Sequence, residues 1–161
     1  MTTQYISFSS WRDWVFCPFK FKITRIDKVR LFEGNEYSTF GTALHDVVEL
    51  MLLKEKETIL NEGVKDDNDF DPNSYFKLRF KEELEKLPKE KLQSIKDKTI
   101  LDMKQQGLDL IPLILPVLRE TFGEYETVNT EYELRQPVDE HPNMDFYGFI
   151  DCIIKTKDGK Y

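Results

Sequence analysis

Between Ser38 and about Lys56, apolar residues recur every three or four positions. Phe40, Leu44, Val47, Val48, Met51 and Leu52 form one stripe, which predicts an amphipathic helix with His45 at the border of its apolar face. Nearer the N-terminus, Ser9 and Ser10 precede Trp11-Arg12-Asp13-Trp14-Val15-Phe16, and Asp13 lies three residues after Ser10. That is the pattern of an N-cap with an acidic first turn, so a helix is expected to begin there. Pro18 restarts the chain after Cys17, Phe19, Phe21 and Ile23 are expected to pack inward, and Gly34-Asn35 reads as a loop. Two further helices are predicted, from Asn73 to Leu87 and from Lys89 to Gln106, split by Pro88 and closed by Gly107. Another is predicted from Asp109 to Phe122, bent or restarted at Pro116 because proline lacks a backbone donor.

After Gly123 the period changes from helical to alternating. The stretch from Tyr125 to Val138 is rich in Thr, Val and Tyr and predicts a strand; His141-Pro142-Asn143 reads as a turn. A second strand is predicted from Phe146 to Thr156, and the Asp158-Gly159 pair is that of a tight hairpin whose next strand would open at Tyr161. The element order predicts an α/β fold with an α+β-like order: residues 1–122 mainly helical, residues 123–161 in strands, and one domain over the whole.

Composition narrows the classes. A chain of 161 residues has single-domain length, and 40% hydrophobic with 13% aromatic content suffices for a packed core. No stretch reaches the roughly 18 apolar residues that span a bilayer, and Met1-Thr2-Thr3-Gln4 lacks the regions of a signal peptide. Cys17 and Cys152 make no disulfide framework, so a reducing cytoplasmic setting is expected. A net charge of −7 argues against a polyanionic partner, but the charge is unevenly spread. Arg12, Lys20, Lys22, Arg25, Lys28 and Arg30 face only Asp13 and Asp27 in the first thirty residues, whereas Glu62, Asp66, Asp67, Asp69 and Asp71 cluster around Lys65. A local basic face built on Arg12, Lys20, Lys22 and Arg25 can therefore meet phosphate. Asp67-x-Asp69-x-Asp71 fails as an EF-hand loop, because Pro72 stands where glycine is needed and Leu78 where glutamate is needed. The aromatics Trp11, Trp14, Phe16, Phe19 and Phe21 fit base stacking in principle, but at helical spacing the core is the expected place for them.

Four motifs in order carry a family likeness. They are Ser7-Phe8-Ser9-Ser10-Trp11 running into Cys17-Pro18-Phe19; Gly41-x-x-x-His45 with Glu49 four residues on; Glu131-Tyr132-Glu133-Leu134; and Gly148-x-x-Asp151. Together they resemble the PD-(D/E)xK nuclease superfamily, in particular its RecB-like exonuclease branch, whose core is a small restriction-endonuclease-like mixed sheet flanked by helices. The resemblance implies a metal-dependent DNA exonuclease acting on ends or single strands in recombination, repair or phage DNA metabolism, with a helicase or recombination protein as partner and no membrane association. It implies that Asp151 and His45 bind Mg²⁺ or Mn²⁺, hard ions suited to carboxylate ligands, with Glu131 contributing; Glu133, two residues on, is the open alternative. Asp151 is expected on the strand face of Phe149 and Ile153, where burial would demand a partner or a metal. Gly148 reads as a bulge or a point of close approach, and Glu49 as a surface or supporting residue.

In some relatives, the CRISPR-associated and helicase-linked nucleases among them, a cysteine at the place of Cys17 is the first ligand of a [4Fe–4S] cluster. The other three ligands come from a C-terminal run that this sequence does not carry, and Cys152 points away from the Asp151 face; Cys17 is therefore read as a core thiol. The family's acid-x-Lys pair is expected on the strand beyond Tyr161, since Lys155, Lys157 and Lys160 do not occupy its place. The chain is accordingly expected to be C-terminally incomplete, inactive by itself and prone to self-association through an unpaired strand edge. Two other readings stand beside the nuclease. One is a non-catalytic DNA-binding or assembly module that keeps the fold; the other is a helical interaction protein with an incidental histidine.

Overall fold

In the computed structural model, residues 4–29, 34–60 and 70–161 are described. The elements run β1 (Gln4–Ser7), α1 (Phe8–Phe16), α2 (Pro18–Phe21), a π-helical turn (Lys22–Ile26) and α3 (Glu36–Leu60). After these come α4 (Pro72–Glu85), α5 (Lys89–Ser94), α6 (Asp97–Leu110), a 3₁₀ turn (Ile111–Leu113), α7 (Ile114–Phe122), β2 (Tyr125–Val138) and β3 (His141–Thr156). This is an α/β fold: a short first strand, then the helices, then two long strands, the three strands forming a sheet in the order β1-β3-β2. The chain forms two compact units. One comprises residues 1–32 and 131–151, the other residues 33–130 and 152–161.

In the first unit β1 lies parallel to β3, with Gln4 opposite Met144 and Ser7 opposite Tyr147. Arg135 on β2 ties the three strands together. Its Nε donates to Asp145 Oδ2 at 2.5 Å, its Nη2 to the Tyr5 hydroxyl at 3.0 Å, and its guanidinium carbon lies 5.0 Å from the Tyr5 ring centre. Helix α1 starts earlier than Ser9 or Ser10: Ser7, with extended backbone (φ −89°, ψ 161°), accepts the Ser10 N–H at 3.1 Å and is the cap. Asp13 is consequently not in the first turn. It is buried, and its carboxylate accepts from Arg25 (Nη2, 2.8 Å) and Lys20 (Nζ, 3.3 Å), which fastens α1 to the π-helical turn and to α2. Pro18 does open α2, at its first turn. Phe19, expected to pack inward, is 70% exposed.

In the second unit the predicted stripe of α3 is the seam of the core. Ala43 and Val47 are fully buried with Phe76, Phe80, Leu84, Leu87, Met103 and Ile111, and Phe40, Leu44 and Met51 pack against them. Phe76 and Phe80 stack at 5.7 Å, and Phe40 meets each of them edge-on. Asp71 caps α4 by accepting the N–H groups of Asn73 and Ser74, both at 3.1 Å. The helix expected from Lys89 to Gln106 is interrupted at Ile95-Lys96, giving α5 and α6. Gly107 does not end α6 but lies inside it against Phe76, where an added Cβ would come within 2.1 Å of the ring. The break expected at Pro116 falls instead at the 3₁₀ turn holding Pro112, and Pro116 sits in the first turn of α7, where no helical donor is lost.

The two long strands are confirmed. Their turn is at Asp139-Glu140, with Glu140 left-handed (φ 65°), so His141-Pro142-Asn143 belongs to β3 rather than to a turn. The Asp158-Gly159 turn also forms: Gly159 has φ 83° and donates to the Thr156 carbonyl. Strand β3 is central and not an edge over Met144–Tyr147, where β1 covers it. The acidic stretch from Glu62 to Asp69, the rejected EF-hand positions Asp67 and Asp69, and Arg30 lie outside the described residues. No helix among the described residues is long and apolar enough to cross a membrane.

Candidate metal centre

Two carboxylates meet in the first unit. Glu131 comes from β2 and Asp151 from β3, and each offers a carboxylate oxygen within 4.8 Å of the other. Oxygens bound to one hard divalent ion at about 2.1–2.6 Å stand no more than roughly 5 Å apart, so the pair fits a shared Mg²⁺, Mn²⁺ or Ca²⁺ ion. The third residue that the sequence pointed to, His45, lies in the second unit on α3, half-buried, next to the core residues Leu44 and Val47.

Glu131 is delivered by an unusual backbone. Its φ is +48° in the middle of a strand, a left-handed conformation that a non-glycine residue adopts at a cost of about 1–3 kcal/mol. Such strain persists only where the surroundings fix it. Just upstream, the Thr130 N–H donates to Asn129 Oδ1 at 2.9 Å, and the Thr130 hydroxyl donates to Glu49 Oε1 at 3.3 Å. A left-handed residue interrupts the strand alternation, so Glu131 and Glu133 do not share the face that an unbroken strand would give them. Glu131 is half-buried; Glu133 is exposed.

Asp151 is exposed, and its neighbour on the same strand face, Phe149, is 51% exposed. The expectation of a buried carboxylate is thus corrected: the face it occupies is open, and its interest lies in its nearness to Glu131, not in desolvation. Gly148 has no left-handed backbone, and a Cβ added there or at Gly41 would meet no protein atom within 4 Å. Neither glycine is needed for a bulge or a tight contact. Both leave bare surface beside a proposed ligand, Gly41 one helical turn before His45 and Gly148 on the approach to Asp151.

Glu49 is not idle surface, because it accepts the Thr130 hydroxyl. The basic candidates fall into two sets. Lys20 and Arg25 are engaged by Asp13, and Lys22 by Asp27 at 2.7 Å, while Arg12 is exposed on α1. Cys17 is half-buried and caps α2, its Sγ accepting the Lys20 N–H at 3.5 Å; that capping role, rather than burial in a core, is what its place in the chain provides. Asp158-Gly159-Lys160 has acid-x-Lys spacing but forms the turn after β3. The Asp158 carboxylate takes the Thr156 hydroxyl and Lys160 Nζ, each at 2.5 Å, and both hold its pKa below the usual range, the lysine more strongly. Sequence reasoning missed the Tyr5–Arg135–Asp145 tie and the left-handed turn at Glu131. Neither leaves a residue-type signal, since nothing but the fold brings β1 beside β3.

A family model described as the PD-(D/E)XK nuclease superfamily matches residues 5–161. No curated protein and no solved structure matches the chain.

Proposed function

Because the chain belongs to the PD-(D/E)XK nuclease superfamily, we propose that it is a metal-dependent DNA exonuclease domain of the RecB-like kind, acting in the cytoplasm in DNA recombination, repair or phage DNA metabolism. Membership in this superfamily implies DNA as the substrate and a divalent ion in the reaction; the branch, the direction of attack and a helicase or recombination partner are part of the proposal. The carrying observation is the Glu131–Asp151 carboxylate pair, set on adjacent strands with oxygens within 4.8 Å. One family match running from residue 5 to 161 supports treating both compact units as a single domain.

In this reading Asp151 and Glu131 hold Mg²⁺ or Mn²⁺ through oxygen, and His45 completes the set on the strength of its Gly41-x-x-x-His45 motif. When bound, the ion makes a water nucleophilic at neutral pH and offsets charge on the scissile phosphate. The protein's share is placement. The Asp151 carboxylate stands on an open strand face that a phosphodiester can reach, and the left-handed turn at Glu131 aims the second carboxylate at it. Bare backbone at Gly148 leaves room for the sugar-phosphate chain beside Asp151.

Isothermal titration with Mn²⁺ tests the centre directly. Binding should be weakened at least tenfold by Asp151→Ala and by Glu131→Ala, and left unchanged by Glu133→Ala. Unaltered Mn²⁺ affinity in the Asp151→Ala protein overturns the assignment. A second reading, a module that keeps the fold without the chemistry, is separated by the same protein. Metal binding without Mn²⁺-dependent DNA cleavage would select it.

A further inference from the structure

Helix α1 is built inside out. Its buried residue is the carboxylate Asp13, while Trp11 (49% exposed), Trp14 (53%), Val15 (63%) and Phe16 (82%) face solvent, joined by Phe8 (60%) and by Phe19 (70%) from α2. The expectation that these rings form core is therefore overturned for all but the half-buried Phe21. A contiguous exposed aromatic face of this kind marks an interaction surface. It is also held stiffly: Asp13 grips Arg25 and Lys20, Trp14 meets Phe21 edge-on at 5.6 Å, and Phe8 leans on Trp11 at 5.9 Å.

We propose that this α1–α2 face is a platform for single-stranded DNA, with the exposed rings stacking on unpaired bases and the interleaved cations meeting the phosphates. Charge and geometry select this occupant. Arg12 stands four residues after Phe8 and four before Phe16, so one helical row alternates ring, cation, ring. Over residues 4–29 Arg12, Lys20, Lys22, Arg25 and Lys28 oppose Asp13 and Asp27; the two acids take Lys20, Arg25 and Lys22 into ion pairs, and the segment keeps a net positive charge in a chain whose net charge is −7. Rings flanked by cations suit a strand with free base faces and a charged backbone, whereas in a duplex the base faces are already stacked on one another. A purely apolar partner would have no use for the cations. The inference takes DNA from the nuclease reading and adds which form of DNA is held, but its test requires no cleavage.

The experiment measures binding in EDTA of a fluorescent oligothymidylate and of a duplex of equal length, with tryptophan emission as a second signal. The oligothymidylate should bind more tightly than the duplex and quench the tryptophans. Trp11→Ala and Phe19→Ala should each weaken it roughly tenfold. Arg12→Gln should lower the slope of log affinity against log salt by about 0.7, the loss of one phosphate contact to a single strand. These side chains are exposed, so the variants should melt as the parent does. Equal affinity for duplex, unaltered binding by both ring variants, or rings covered by concentration-dependent self-association without quenching by DNA would each overturn the platform. Mn²⁺ titration of the ring variants separates the two ideas. Trp11→Ala and Phe19→Ala should keep the parent's Mn²⁺ affinity while losing oligothymidylate, and ring variants that keep full affinity for oligothymidylate sink the platform while leaving the metal centre standing.

Discussion

At the scale of single residues, Gly107 and Asp13 show how one atom or one charge decides a packing. Gly107 lies under the fully buried Phe76, whose ring cannot swing away because it stacks on Phe80. Gly107→Ala should therefore destabilise by about 1–3 kcal/mol through overpacking, although alanine is the better helix former, and Phe76→Ala by about 3–5 kcal/mol through the cavity it leaves. Urea unfolding of both variants checks the order. Asp13 owes its lowered pKa first to the hydrogen bond from Arg25, with Lys20 adding to it and burial opposing it. A depressed carboxylate contributes stability that is full above its unfolded pKa, near 3.8, and is lost as pH falls through its lower folded value. Asp13→Asn should thus cost stability at neutral pH, and the difference from the parent should shrink in acid below pH 3.8; melting curves across that range would show it.

At the scale of elements, α3 holds the start of β2 by three polar ties along its length. Glu55 accepts the Tyr125 hydroxyl at 3.0 Å and also pairs with Arg119, Lys56 Nζ donates to the Val128 carbonyl at 2.6 Å, and Glu49 takes the Thr130 hydroxyl. Burial first, and then the bond to Glu55, push the Tyr125 pKa up to about 12. Because the folded value lies above the ordinary value of 10.0, the neutral phenol's contribution is present below pH 10 and is lost as pH rises towards 12. The alkaline loss of stability should be less steep in Tyr125→Phe, as read by difference absorbance of tyrosinate alongside circular dichroism. The helix α3 was legible because one stripe faces one core, and the two long strands because their period is two. Other boundaries were not. Ser7, Ser9 and Ser10 are equally good caps on paper, and only the four-residue β1, too short to show a period, chooses Ser7. The break at Ile95-Lys96 holds neither glycine nor proline, and a glycine that ends a helix is spelled the same as one that admits a ring.

At the scale of the whole molecule, the order of motifs was legible and their surroundings were not. Gly41, His45, Glu131, Gly148 and Asp151 pointed to the family that matches residues 5–161. The sequence could not rank Glu131 above Glu133, because an unbroken strand puts both on one face and only the left-handed backbone at Glu131 separates them. Nor could it foresee that the aromatic residues of α1 face outward, since helical spacing reads the same for a core face and for a binding face. The chain's net charge of −7 also concealed a cationic N-terminal segment. Raising the salt concentration should therefore weaken DNA binding despite the acidic whole, as expected where a few local cations displace counterions from phosphate.

Glu131 and Asp151 are the first and last residues of the strand pair that the first unit takes from the C-terminal part of the chain. An ion gripped by both would work as a buckle, closing a loop of residues 131–151 at its open end, opposite the turn at Asp139-Glu140. Ion binding and loop closure would then draw on the same free energy, and free Mn²⁺ at a hundred times its dissociation constant would secure the closed form by about 2.7 kcal/mol. Amide hydrogens across this hairpin should exchange more slowly in Mn²⁺ than in EDTA, while those of the Phe76–Phe80 core should not change. In the Asp151→Ala protein the buckle has lost one side, and the hairpin should exchange at one rate with or without the ion.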